Sequence, residues 1–444
     1  MFKHLSILLF VTTGLGCRPG CEDLLDTDGD GIGDRCDNCP GIENPGQDDV
    51  DGDGIGEACA CDPQPMACVD GMAGAYPCEA TELVSFVPLS AFGATSANDV
   101  WGWLDPITGR ELVLLGLDNG LGVIDVTHPY CPALVGLLPA GADTSPWRDV
   151  ETLGTHAYVG SEAEGHGLQI LELSGLPDAQ AGLLRLEPDA TYTGIGSSHT
   201  VTIEAEHGLL SIQGSDTCEG GLHLADLSDP LAPALRGCFD EVGYVHDAHC
   251  VTYHGPDTEH VGKPICVTGN GHSKSVSVVD VSDPTAPVEL GRLDYDTASQ
   301  LAGDAGAGYA HQGWLTEDHR TLLFGDEYDE LELGVPTTTF VLDLEDLDAP
   351  AYLGAFAHDT ASIDHQIYVV GDRMYQANYT AGLQVFDLSH VRGAQLELIA
   401  SFDVYPSGDP RLFVGAWSQY PWLSDGLVAI SSVADGLFLV RPGL

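Results

Sequence analysis

Between Asp99 and Pro442 short apolar strands recur in a fixed order, and the clearest of them ends in aspartate before a turn. This third strand of each unit reads GLGVIDVTHP (120–129), GLQILELSG (167–175), GLHLADLSDP (221–230), SVSVVDVSDP (275–284), TTFVLDLEDLDAP (338–350), GLQVFDLSH (382–390) and GLFLVRP (436–442). Seven copies at a period of roughly 45–60 residues, with β signals only, predict a radial array, because one such unit cannot bury both its faces alone. A fourth strand follows most turns, as in PALVGLLP (132–139) and PVELGRL (287–293), but the last unit reaches Leu444 without one. A strand of the right kind, ELVSFVPL (82–89), stands ahead of the first unit. The expected fold is therefore all-β: a seven-bladed β-propeller over 81–444, closed by an N-terminal strand. The recurring Asp125, Asp226, Asp280, Asp343 and Asp387 are expected to cap their turns through the backbone.

Residues 21–60 break this pattern and are packed with Asp, Gly and Cys. Asp26, Asp28, Asp30 and Asp34 alternate around glycines, and Asp49, Asp51, Asp53 and Glu57 repeat the arrangement. Alternate carboxylates on a glycine-permitted loop can converge on one hard cation, with the Ile32 and Ile55 carbonyls adding oxygens. Neither loop has helical flanks or a glutamate at the twelfth position, unlike an EF-hand. With Cys36-Asp37-Asn38-Cys39-Pro40, Asn44-Pro45 and Gln47, the segment resembles thrombospondin type 3 repeats. That resemblance implies calcium wrapped with almost no apolar core and stapled by disulfides, a small calcium-binding stalk before the propeller. Residues 61–80, with Cys61, Cys68 and Cys78, read as a disulfide-tied linker.

The chain carries 68 acidic and 15 basic residues, a formal charge of -53. Such a surface repels phosphate backbones and anionic membranes, which excludes nucleic acid as a partner and favours cations. Residues 1–16 have the form of an export signal, with Lys3 before an apolar stretch from Leu5 to Val11 that is too short to span a bilayer. Gly14-Leu15-Gly16-Cys17 resembles a bacterial lipobox, although Gly14 stands where leucine is usual. It implies acylation at Cys17, a lipid anchor as the one membrane contact, and a cell-surface or outer-membrane lipoprotein; plain secretion is the alternative. Of thirteen cysteines, a lipidated Cys17 leaves an even number for disulfides. Cys250 with Cys266, and Cys218 with Cys238, are the candidate pairs.

GLDNGLGVIDVTHPYCP, HDAHCVTYHGPDT, HQGWLTEDHRTLLFGDE, DHQIYVVGDRMYQANYTAGLQVFDLS and GAWSQYP resemble the choice-of-anchor B family of LVIVD-repeat proteins, across 85–442. The resemblance implies an extracellular propeller with varied anchors and carries no assigned activity.

Propeller first strands line the central channel, so their equivalent positions point to one axis. Asp149, His199, His249, His311 and His365 fall in step, with Trp417 and Trp101 at the corresponding places. Arg148, His246, Asp247 and Asp364 are neighbours able to stand behind this ring. Three meanings are open. The channel can be polar and water-filled, with His and Asp satisfying one another. Neutral imidazoles with a carboxylate also suit zinc, copper or iron, the rings oriented by Asp364 or Asp247. A metal-free pocket would use Arg148 on an anion and Trp101 or Trp417 as stacking surface. Glu162, Glu164 and His166 lie between strands and read as solvated. No glycine-rich phosphate loop, nucleophile elbow or HExxH helix is present.

Two functions compete. The first is an exported, calcium-binding surface module for binding or adhesion, with an extracellular protein, a glycan or a small molecule as ligand. The second is an extracytoplasmic metalloenzyme, a hydrolase or oxidoreductase with its site in the channel.

Overall fold

The structure, a computed structural model, describes residues 30–33, 44–47, 65–141, 143–177, 183–294 and 308–444. The chain divides into two compact units, Met1–Asp62 and Pro63–Leu444. In the first, both oxygens of Asp30 accept backbone amides, from Ile32 at 2.8 Å and from Asn44 at 2.9 Å. The other expected calcium ligands, Asp26, Asp28, Asp34, Asp49, Asp51, Asp53, Ile55 and Glu57, lie outside the described residues, as does Cys17.

The second unit is a seven-bladed β-propeller of antiparallel sheets. The first strands of the blades are Ala97–Leu104, Arg148–Leu153, Thr200–Glu204, Asp247–Thr252, Ala310–Leu315, Ile367–Val370 and Ala416–Tyr420. The first six touch one another in this order, the seventh touches the second strand of the sixth blade (Arg373–Ala377), and the seventh touches the first, so the ring is closed around a central channel. The third strand of the seventh blade, Gly436–Pro442, pairs antiparallel with Thr81–Pro88. Within the stretch read as a linker, Cys68 and Cys78 form a disulfide, while Met72–Ala73 and Tyr76–Glu79 extend the sixth blade beyond Glu397–Phe402.

Second and third strands are nearly continuous apolar runs because each blade is covered on both faces by its neighbours. Glu111–Leu117 and Pro264–Gly269 are buried at every residue. Among the described residues there are seven apolar clusters, one at each junction between blades. Val113 and Leu115 meet Ala429 and Leu437 between the first and seventh blades, for example. Truncating one such buried leucine to alanine costs about 2–5 kcal/mol. Outer strands carry a glycine where the next blade's turn packs. A Cβ on Gly237 would stand 2.2 Å from the Pro284 carbonyl oxygen, and one on Gly291 would stand 2.4 Å from Pro350 Cδ.

The repeated aspartates do cap turns. Asp125, Asp226, Asp280, Asp343 and Asp387 each accept the amide two residues on, at 2.6–3.1 Å. The Cys218–Cys238 and Cys250–Cys266 disulfides are both present. No helix among the described residues is long and apolar enough to cross a membrane.

Candidate functional site at the histidine end of the channel

Hydrogen bonds between neighbouring first strands fix which positions are equivalent around the ring. The Val150 amide donates to Asp99 Oδ2 at 3.2 Å, Val201 to Asp149 Oδ2 at 2.7 Å and Ile367 to Gln312 Oε1 at 2.9 Å. Asp99, Asp149, Thr200, Asp247, Gln312 and Gln366 therefore form one layer. One residue earlier lies the layer of Arg148, His199, His246, His311, His365 and Trp417, which opens at the end where the strands begin. Two residues later come Trp101, Glu151, Trp314 and Tyr368, which line the other end, and His249, which stacks on Trp314.

This register corrects the expected ring in three places. His199, His311, His365 and Trp417 do share a layer, but Arg148 rather than Asp149 and His246 rather than His249 complete it. Asp149 sits one layer deeper. His249 lies at the far end, stacked on Trp314 with centroids 3.5 Å apart, its Nδ1 accepting the Leu315 amide at 3.3 Å. Trp101 belongs to that end as well, beside Tyr368 and Trp422. Asp364 does not orient a ring: it is fully buried and interacts with Asp329, which raises its carboxyl after burial itself. Both Asp364 carboxylate oxygens lack a hydrogen-bond partner, as do both of Glu330.

Four imidazoles make a continuous arc. Ring centroids are 4.3 Å apart for His199 and His246, 4.2 Å for His246 and His311, and 4.4 Å for His311 and His365. Trp417 extends the arc 4.7 Å beyond His365. Burial, and then the neighbouring rings, push His246 and His311 well below the usual imidazole range, and burial holds His365 at about 3. Neutral imidazoles offer lone pairs, which is the form a metal takes.

Glu327, just past the second strand of the fifth blade (Thr321–Asp326), brings a carboxylate to these rings. Its oxygens stand 3.8 Å from His311 Nε2 and 3.7 Å from His365 Nε2. Ligand atoms of His311, Glu327 and His365 all lie within 4.8 Å of one another. Two ligands about 2.1 Å from an ion at the tetrahedral angle are about 3.4 Å apart, so each histidine stands within a few tenths of an ångström of that separation from Glu327. His365 donates Nδ1–H to the Trp417 carbonyl, which leaves its Nε2 lone pair facing Glu327. Tyr379 donates to Glu327 Oε1 at 2.8 Å, and burial raises Glu327 to about 7 against that bond. His311 is 1% exposed, yet neither ring nitrogen has a hydrogen-bond partner. Such orphaned buried nitrogens are rare in a satisfied polar core.

Arg148 faces this constellation from the second blade. Its Nε donates to the Leu117 carbonyl at 3.1 Å and its Nη1 to His166 Nε2 at 3.0 Å, while the buried Nη2 has no partner. Burial lowers Arg148 to about 10, opposed by Asp118. His166 and Glu162 are thus not simply solvated: His166 is buried on Arg148, and Glu162 Oε1 lies 2.6 Å from His199 Nδ1. Glu162, Glu327 and Tyr379 were not legible as site residues, although each follows directly or nearly so on the second strand of its blade. That shared position is the signal that would have found them.

A second group of ligand type, Asp257, His260 and Asp348, lies in part in the loop between the first two strands of the fourth blade. There Lys263 Nζ, 3.2 Å from His260 Nδ1, already supplies a positive charge.

Residues 271–297 match the LVIVD repeat family. The chain is a seven-bladed propeller that carries an LVIVD-type repeat in its fourth blade. The matched segment holds the third and fourth strands of the fourth blade, Ser275–Asp280 and Val288–Asp294. No curated protein matches the sequence. The repeat family supports the architecture; the channel chemistry rests on the geometry alone.

Proposed function

We propose that this LVIVD-repeat propeller holds a transition-metal ion at the histidine end of its channel, through His311, His365 and Glu327, and binds an anionic ligand there. The observation that carries this is the convergence of those three side chains around a histidine whose nitrogens are buried and unpartnered. A bound zinc, copper or iron ion would supply Lewis acidity to a coordinated oxygen. The chain's own residues do the rest. Arg148 offers a free, buried Nη2 to an anion across the mouth, and Trp417 provides an apolar wall. His365 and Tyr379 hold the ligand set in place through the Trp417 carbonyl and Glu327.

Cobalt-substituted protein tests this. Visible bands of ligated cobalt should appear with wild type and shift on adding acetate or phosphate, and an Arg148→Met variant should keep the bands but lose the shift. Identical bands in a His311→Ala/His365→Ala variant would contradict the site.

A propeller with an LVIVD repeat also fits a protein-interaction module. The proposal sets it outside the cytoplasm, as an anchored choice-of-anchor B-type surface protein, with an acidic calcium-binding stalk before the propeller. Three disulfides among the described residues support an oxidising compartment. For the stalk, chelation should expose 21–60 to protease; for anchoring, a Cys17→Ser protein should leave the membrane fraction.

A further inference from the structure

The opposite end of the channel has a composition of its own. Asp99, Asp149, Glu151 and Asp247 line one small space together with Trp101, Trp314 and Tyr368; none of its lining residues is Lys, Arg or His, and His249, stacked on Trp314, is outside that lining. Each carboxylate is fixed in place by an amide: Asp99, Asp149 and Glu151 accept one from the next blade, and Asp247 accepts from Ala248 at 2.6 Å. Asp99 is 4% exposed, and its Oδ1 has no hydrogen-bond partner. Asp99 and Asp247 are buried and Asp149 and Glu151 half-buried, and four such carboxyl groups together without a cation are costly, so a positive ligand would relieve them.

Size and spacing select the cation. The space admits about one or two water-sized groups. A bare divalent metal needs several oxygens converging on it, and among the described residues this layer contributes no three ligand atoms within 4.8 Å of one another. An ammonium nitrogen makes longer contacts, about 2.8–2.9 Å to each carboxylate, and so spans oxygens that stand further apart. The rim suits the carbon chain behind such a head. Trp314 and Tyr368 have centroids 4.8 Å apart, Trp101 and Tyr368 6.0 Å, and Trp422, partly exposed, lies within 6 Å of all three. Indole and phenol faces attract a nearby cation and cover its methylenes.

We infer that the aromatic end of the channel is a binding site for a primary alkylammonium group, its head among Asp99, Asp149, Glu151 and Asp247 and its chain against Trp101 and Trp314. The group can come from a free amine or from a lysine side chain of a protein partner.

Tryptophan fluorescence of the full chain, titrated in EDTA so that the histidine end plays no part, tests the inference. n-Pentylamine should give a saturable change, whereas pentanol and tetramethylammonium should not. Glu151→Gln, which keeps an acceptor for the Ile203 amide, should weaken amine binding at least tenfold with unchanged far-ultraviolet dichroism. Trp314→Leu should weaken it several-fold. A lysine-containing peptide binding more tightly than pentylamine would assign the source to a protein partner, and the reverse would assign it to a free amine. No saturable response to either, or an equal response to pentanol or tetramethylammonium, would overturn the proposal.

Discussion

At one end of the channel, imidazoles from four blades meet the carboxylates of Glu162 and Glu327; a few residues further along the same strands, carboxylates meet indole and phenol rings. Burial acts on both ends but in opposite directions. It strips protons from His246, His311 and His365, and it pushes Asp99 to about 6 and Asp149 and Glu151 well above the usual carboxyl range. The first end is left with lone pairs for a metal, the second with acids that a cation would ionise. The five capping aspartates on the outer turns show the alternative fate of the same side chain. Only partly buried and hydrogen-bonded to the Ser389 hydroxyl and amide, Asp387 lies below its ordinary value. Location in the blade, rather than residue type, decides the chemistry.

The contrast breaks most visibly through the metal. His365→Ala should lower transition-metal affinity by at least about 100-fold while leaving alkylamine binding within twofold, measured by competition with a chromogenic chelator. If both functions fall together, the two ends are not separate sites. Tyr379→Phe removes only the bond to Glu327 and should cost about tenfold in the same titration.

The aromatic end should show itself through pH. Because the folded value of Asp99 is raised, its contribution to stability is full below about pH 4 and is lost as pH rises through about 6. In metal-free protein, Asp99→Asn should flatten that decline by up to ~1.4 kcal/mol per pH unit, read from urea unfolding between pH 4.5 and 7.5. A slope identical to wild type would mean that the carboxyl is ionised throughout. Smallest of all, Asp387→Asn on an exposed turn should change stability by less than about 0.5 kcal/mol, since surface substitutions away from buried networks do little. A larger loss would erase the distinction between turn and channel aspartates.

The blades were legible because their signals are local: apolar runs, turn aspartates and outer-strand glycines recur with the repeat. The site was only half legible. HCVT at 249–252 matches HTVT at 199–202 letter for letter better than the true partner beginning at His246, so sequence similarity alone points to a register three residues away from the real one. An odd slip turns a strand's side chains to the other face, which is why His249 meets Trp314 instead of His311. The true register is set by bonds between blades, such as Val201 to Asp149, which no single repeat reveals. Glu327 was missed for a related reason: it comes from the second strand's end, outside the first strands that were compared.

X-ray absorption of full-length protein, purified without metal-affinity media and reconstituted with zinc, addresses the central claim most directly. The proposed site predicts one tightly held ion in the channel with nitrogen and oxygen neighbours near ~2.0–2.1 Å and scattering from two imidazoles, both lost in His311→Ala/His365→Ala. An absent ion after reconstitution, or an unchanged spectrum in that variant, would contradict it.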